Sequence, residues 1–213
     1  MRSRFAELWR RLGAAGDGDD VYASLDAAYR EPARVYHTTA HLADCLVQLD
    51  WFPESAAERD LVETALWFHD AVYDPRSSEN EARSAEWAAR ALAGAGVEGH
   101  LVRRVSALVL LTRHLEPAID SAGQLLCDID LSILGRDPPE FERFERAIRA
   151  EYVWVPEPEY RAGRRRILRG FLARRPLYQT MPFRVRYEES ARGNLARALA
   201  SLGGSGPPQT AVG

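Results

Sequence analysis

Apolar residues recur at intervals of three and four positions along most of the chain, and segments that alternate apolar and polar residues are absent. Such spacing collects apolar side chains on one face of an α-helix, whereas strict alternation is typical of a half-buried strand. Leu42, Leu46 and Leu49, for example, form one apolar stripe. The pattern therefore predicts an all-α fold that needs no strands.

Proline, glycine and polar clusters divide these repeats into about ten helices. The length of 213 residues favours one domain. We expect a compact helical bundle over residues 1–202, followed by a disordered tail rich in glycine and proline over residues 203–213. The predicted helices are Phe5–Leu12, Val21–Arg30, His37–Leu49, Ser55–Val72, Glu79–Ala93, Glu98–Thr112, Gly123–Leu134, Pro139–Glu151, Pro156–Arg174 and Pro182–Leu202.

Composition excludes several classes of function. No apolar run approaches the ~20 residues that span a bilayer, and the charged, amphipathic N-terminus does not suit a secretory signal. A net charge of −3 gives no overall attraction to nucleic acid or anionic membranes. Cys45 and Cys127 lie in apolar helical stretches, which favours buried free thiols. We expect a cytoplasmic protein without membrane or nucleic-acid partners; homo-oligomerisation stays open.

Three of the five histidines fall in two short segments, one with His37 and His41 and the other with the pair His69-Asp70. On a helix His37 and His41 would share a face, which Asp44 extends by a turn. A buried imidazole and carboxylate at a helix end need a partner, and a divalent cation satisfies both. The alternatives are a helix-end pair at His69-Asp70 and an N-terminal helix residue at His37 that bonds nearby backbone.

Two carboxylates, Asp128 and Asp130, interrupt the apolar stretch Leu125–Gly135. At least one of them should face a cation or a hydrogen-bonding cluster. A helix directs the two side chains to nearly opposite sides, so only one can reach a given ion, and we choose Asp130. His114 lies between these aspartates and the His69-Asp70 pair and is a candidate for substrate contact or for a supporting role.

The order of these residues resembles the H…HD…D signature of the HD-domain superfamily of metal-dependent phosphohydrolases. The opening Tyr36-His37 through His41 and Asp44 is similar to the YHN-x-x-H-x-x-D segment of cyclic-nucleotide phosphodiesterases, with Thr38 in place of asparagine. A bacterial subfamily of predicted HD phosphohydrolases with unassigned substrates is closer still. That likeness spans Arg34–Gly135 and rests on the segments Arg34–His37, Ala65–Pro75 and Asn80–Ala85.

This resemblance implies a divalent metal (Mn, Mg, Fe, Zn, Co or Ni) held by His41, His69, Asp70 and Asp130. The metal would activate a water that attacks a phosphate ester or anhydride, with His37 as general acid and Asp128 and His114 in substrate-binding or supporting roles. The implied partner is a small phosphorylated molecule, with nucleotides as the leading class. The alternatives are a catalytically silent metal-binding regulatory protein and a di-iron oxygenase of HD type.

A run of arginines, Arg164–Arg166 with Arg169, Arg174 and Arg175, has two interpretations. Arginine binds phosphate well, which would suit a nucleotide or RNA. We favour a solvated helix face paired with nearby glutamates.

Overall fold

The computed structural model describes residues 1–52 and 56–203 and confirms the all-α prediction. Ten α-helices and one short 3₁₀ helix make up its regular structure, and the described residues include no strand. The elements are α1 (Arg2–Arg11), α2 (Asp19–Tyr29), α3 (Thr39–Leu49), α4 (Ala56–Phe68), α5 (Asn80–Gly94), α6 (Gly99–Leu111), α7 (Ser121–Asp130), the 3₁₀ helix (Leu131–Gly135), α8 (Pro138–Glu151), α9 (Glu157–Ala173) and α10 (Met181–Gly203).

Helix α4 lies at the centre of the bundle and packs against α1, α3, α5, α6 and α7. Its last turn is apolar on every side, and Leu66, Trp67 and Phe68 are all buried. A helix that is hydrophobic all round belongs in a core. The chain segment that leaves α4 at Phe68 therefore starts inside the protein, and the next two residues are His69 and Asp70.

One apolar core joins residues from α1 through α10. The first and last helices pack on different elements. Helix α1 packs on α2 and α4, whereas α10 packs on α9 and the 3₁₀ helix. Helix α10 includes Gly203, one residue beyond the predicted domain boundary. The rest of the predicted tail, 204–213, lies outside the described residues.

Two helix ends differ from the prediction in ways that matter for the site. Helix α3 begins only after Thr38, whose hydroxyl accepts a hydrogen bond from the Ala40 amide at 3.3 Å. His37 therefore precedes the helix. Helix α4 ends at Phe68, so that His69 and Asp70 lie in the following turn and not inside the last turns of a helix that continues to Val72.

Cys45 and Cys127 are buried free thiols, as predicted. Among the described residues, no helix combines the length and the apolar character that crossing a bilayer requires.

Candidate metal centre

Three separate elements deliver the side chains of the site. His41 lies in the first turn of α3, His69 and Asp70 follow α4 directly, and Asp130 is the last residue of α7. The helices α3, α4 and α7 all pack on one another, which brings these three points of the chain together in space. The four residues proposed from the sequence as metal ligands are thus neighbours in the fold, and we call them the cluster.

The donor atoms of the four side chains are closely spaced. The Nε2 atom of His41 lies 3.2 Å from Nε2 of His69 and 3.1 Å from Oδ1 of Asp130. Asp70 Oδ2 is 3.0 Å from His69 Nε2 and 3.6 Å from His41 Nε2. Ligand atoms that each lie about 2.1 Å from one ion are separated from each other by roughly 3.0–3.5 Å. The spacing therefore suits donors that share a single ion.

Protonation adds a second argument for a cation. His69 Nδ1 donates to the backbone carbonyl of Leu66 at 2.8 Å, which leaves the lone pair of a neutral ring on Nε2, facing the carboxylates. Among the described residues, the buried Asp70 Oδ2 atom has no hydrogen-bond partner, and its close contact is with His69 Nε2 at 3.0 Å. Burial lowers the pKa of His69, but Asp70 outweighs it and raises that pKa to about 9, so that without a metal a proton on Nε2 supplies the positive charge. The cluster favours positive charge at its centre.

Cys45 is a donor that our sequence analysis did not assign to the site. It lies one turn after His41 on α3, and its Sγ atom is 3.7–3.8 Å from both ring nitrogens of His41. His41, Cys45, His69 and Asp130 each offer a ligand atom within 4.8 Å of the others, so this buried group could bind a metal ion. The spacing of four residues between His41 and Cys45 was the available signal in the sequence.

His114 stands beside the cluster. Its Nε2 atom lies 2.8 Å from Asp130 Oδ2, the carboxylate oxygen that faces away from His41. Burial would raise the pKa of Asp130, but hydrogen bonds from His114 and His41 hold it well below the usual range. His114 follows α6 with a left-handed backbone (φ 52°), a conformation that is uncommon outside glycine. Its position suits the supporting role proposed for it.

The placement of His37 corrects the prediction of a shared helix face with His41. His37 lies in the loop before α3, and its Nδ1 donates to Glu151 Oε2 at 2.7 Å. Its ring stacks on Tyr73, with centroids 4.1 Å apart. Burial lowers the pKa of His37, but Asp70 and Glu151 raise it above the ordinary value. Its ring centroid is 6.0 Å from that of His41, so it lies next to the cluster.

Glu151, at the end of α8, is a site residue that the sequence did not reveal. Its Oε1 accepts hydrogen bonds from the backbone amides of three consecutive residues, Val35, Tyr36 and His37, at 2.7–3.1 Å. Its Oε2 accepts from His37 and from the Tyr73 hydroxyl. Burial raises the pKa of Glu151, but these bonds, led by that of His37, lower it to about 2. The carboxylate is ionised and fixes the loop before α3.

Arg34 ties this loop to the turn that carries His69 and Asp70. Its guanidinium donates to the carbonyls of His37 at 3.2 Å, Asp70 at 2.6 Å and Ala71 at 3.1 Å. The side chain is 1% exposed. These bonds satisfy carbonyl groups that follow α4 and hold the two loops at a constant separation.

Two predicted positions lie elsewhere. Asp128 does not reach the cluster, because it accepts hydrogen bonds from the Gln179 amide and from Thr180 at 2.7–2.9 Å, just before α10. A supporting or substrate-binding role at the metal is therefore wrong for Asp128. Asp44 pairs with Arg136 and does not extend a histidine face.

Comparison of the chain with protein-family models, with curated proteins and with solved structures gives no match.

Proposed function

We propose that the protein is a metal-dependent phosphohydrolase whose metal is held by His41, His69, Asp70 and Asp130. One observation carries the proposal. Three separate elements converge so that Asp70 Oδ2, a buried carboxylate oxygen to which none of the described residues donates a hydrogen bond, lies 3.0 Å from the Nε2 atom of His69. Leaving a buried polar atom without a partner costs about 1–3 kcal/mol, and a divalent cation would supply the missing partner.

Asp70 is a better fourth ligand than Cys45. The Cys45 sulfur lies nearly equidistant from both nitrogens of the His41 ring, as a packing contact would place it. Burial raises the pKa of the Cys45 thiol well above its usual value, and a metal binds the thiolate. Two imidazoles and two carboxylates are a donor set that suits Mn, Fe, Co, Ni or Zn.

A bound divalent ion lowers the pKa of water and neutralises negative charge that develops on a phosphoryl group. His37 would donate a proton to the leaving group. Its Nδ1–H is held by Glu151, so the remaining ring nitrogen, Nε2, is the one available to a substrate. In hydrolysis the water oxygen forms the new P–O bond and the old P–O bond breaks. The leaving oxygen takes a proton from His37, and the proton lost by the water returns to His37 through solvent.

The order of the four ligands supports this assignment. His41, the adjacent pair His69-Asp70 and Asp130 follow one another along the chain as in HD-domain phosphohydrolases, and all four lie on or directly after α-helices. Nucleotides remain the leading substrate class through this likeness.

The test is elemental analysis of protein purified without chelator or affinity metal, followed by hydrolysis assays on a panel of phosphate mono-, di- and triesters, nucleotides and phosphoanhydrides with the metal that is found. We expect near-stoichiometric metal in the wild type and none in His41→Ala, and hydrolysis of at least one substrate. Metal without any hydrolysis would favour the regulatory protein. Two irons per chain with oxygen consumption would favour the oxygenase. Absence of metal from both proteins would refute the site.

A further inference from the structure

The arginine run does not form the uniform solvated face that its sequence suggests. Arg164 is buried and forms an ion pair with Glu145 on α8. Arg169 is exposed on α9. Arg174, just after α9, instead reaches toward the candidate metal centre, where its guanidinium donates to the backbone carbonyl of His114. These three arginines therefore have different surroundings and should have different roles.

Arg174 contacts the same residue that orients the ligand Asp130. The ring of His114 bonds Asp130, and the ring of Phe171 lies 6.2 Å from that of His114. The guanidinium of Arg174 lies over Phe171, with its central carbon 4.8 Å from the ring centroid. A chain of contacts thus runs from Asp130 through His114 and Phe171 to Arg174.

Among the described residues, no carboxylate forms an ion pair with Arg174. The partly buried guanidiniums of Arg4 and Arg136 and the buried one of Arg164 all form ion pairs with carboxylates. Arg174 donates to a neutral carbonyl, and burial lowers its pKa. Arg113, the residue before His114 in the chain, has Glu81 at 3.7 Å. A half-buried cation without an anion is costly, and an incoming anion would relieve that cost.

Building on the proposed function, we propose that Arg174 binds a second phosphoryl group of the substrate while the first reacts at the metal centre. A guanidinium binds phosphate oxygens with two parallel hydrogen bonds, and the backbone contact with His114 leaves donor groups of Arg174 for such a ligand. The substrate class is then a molecule with at least two phosphoryl groups, and a simple monoester is disfavoured. The second group belongs either to an anhydride, as in a nucleoside di- or triphosphate, or to a separate ester, as in a nucleoside bisphosphate.

The first test compares Arg174→Gln with Arg169→Gln, a control that removes the same charge from an exposed position on α9. The readout is the ratio of kcat/KM for a two-phosphoryl substrate to that for the corresponding nucleoside monophosphate. We expect Arg174→Gln to lower this ratio by about 10–100-fold, since a hydrogen bond to a charged group contributes about 1.5–3 kcal/mol. Arg169→Gln should leave the ratio unchanged. Diphosphate and 3′,5′-bisphosphate substrates are assayed separately to distinguish the two sources.

The result that overturns the proposal is an equal loss on mono- and two-phosphoryl substrates, which would mean that Arg174 only holds the His114 turn. A second measurement does not depend on turnover. Calorimetry on the protein as purified should show that wild type and Arg169→Gln bind inorganic pyrophosphate at least tenfold more tightly than inorganic phosphate, and that Arg174→Gln loses this preference. If pyrophosphate is preferred over phosphate but no substrate is hydrolysed, the phosphohydrolase proposal is refuted and the anion site stands. A wild type without preference would refute the anion site.

Discussion

Two carboxylates of the site, that of the buried Glu151 and that of the partly buried Asp70, differ in the hydrogen bonds that the protein gives them. Glu151 accepts five hydrogen bonds, three from backbone amides and two from the side chains of His37 and Tyr73. The Oδ2 atom of Asp70 accepts none from the described part of the chain and lies 3.0 Å and 3.6 Å from the Nε2 atoms of His69 and His41.

This difference distinguishes a carboxylate with a structural role from a carboxylate that is suited to bind a metal. A buried acid that the chain itself satisfies needs no further partner and can position a neighbouring group, here His37. A carboxylate oxygen without hydrogen-bond donors, placed against imidazole nitrogens, is suited to share a cation with them. The two environments adjoin, since His37 bonds Glu151 while its pKa responds to Asp70.

The largest expected effect comes from removing the carboxylate without donors. Asp70→Asn should lower metal affinity by about 100-fold or more, because loss of even an outer-shell partner costs 10–100-fold. Cys45→Ser is the matched control, since it changes a neighbouring buried donor and should leave affinity nearly unchanged. Competition with a metallochromic chelator measures both. If Cys45→Ser lowered metal affinity more than Asp70→Asn, then Cys45, and not Asp70, would complete the site.

The next effect is on rate. His37→Gln should lower kcat by about 10²–10⁴-fold, the usual contribution of a general acid, with the metal content intact. Tyr73→Phe removes one donor to Glu151 and keeps the ring that stacks on His37, so its kcat should fall far less. Steady-state kinetics with elemental analysis of each variant provides the check. Metal loss in His37→Gln would assign His37 to the metal and not to the leaving group.

A smaller effect concerns stability. The pKa of Glu151 is about 2 in the folded protein against an ordinary value of 4.5, so ionisation stabilises the fold. This contribution, about 3 kcal/mol, is complete above about pH 5 and is lost as the pH falls toward 2. Glu151→Gln should therefore unfold more easily at pH 7 by about that amount, and the difference from wild type should shrink in acid. Urea unfolding at several pH values measures it.

Glu142→Gln, at an exposed position of the same helix, is the control for this comparison and should match wild type throughout. A constant difference between Glu151→Gln and wild type from pH 7 to pH 3 would contradict the role of the Glu151 charge.

Sequence patterns were sufficient for those parts of the fold and site that depend on local structure. Apolar periodicity predicted all ten helices. Polar residues in apolar segments drew attention to the site, and the resemblance to HD-domain phosphohydrolases implied His41, His69, Asp70 and Asp130 as the ligands. The arrangement of His37 could not be predicted, because its partner Glu151 lies 114 residues further along the chain. No local rule connects an isolated loop histidine with the end of α8.

The paired aspartates of α7 illustrate the same limit. Helix geometry predicted that Asp128 and Asp130 point to different sides, and the structure places only Asp130 at the cluster. What Asp128 does instead depends on the segment before α10, about fifty residues later, which offers it two amides and a hydroxyl. Periodicity gives the direction of a side chain, whereas its partner is a property of the tertiary fold.

The smallest expected effect tests this distinction on one helix. Asp128→Asn should lower the free energy of unfolding by about 1 kcal/mol, since it weakens hydrogen bonds to the Gln179 and Thr180 amides. The loss is limited because burial raises the pKa of Asp128, and removing the charge recovers part of that cost. Metal content should not change. Asp130→Asn, two residues away, should show the opposite behaviour and lose the metal. If Asp128→Asn lost the metal as well, α7 would contribute both carboxylates to the site. The distinction between carboxylates that the protein itself hydrogen-bonds and carboxylates that bind the metal would then not hold.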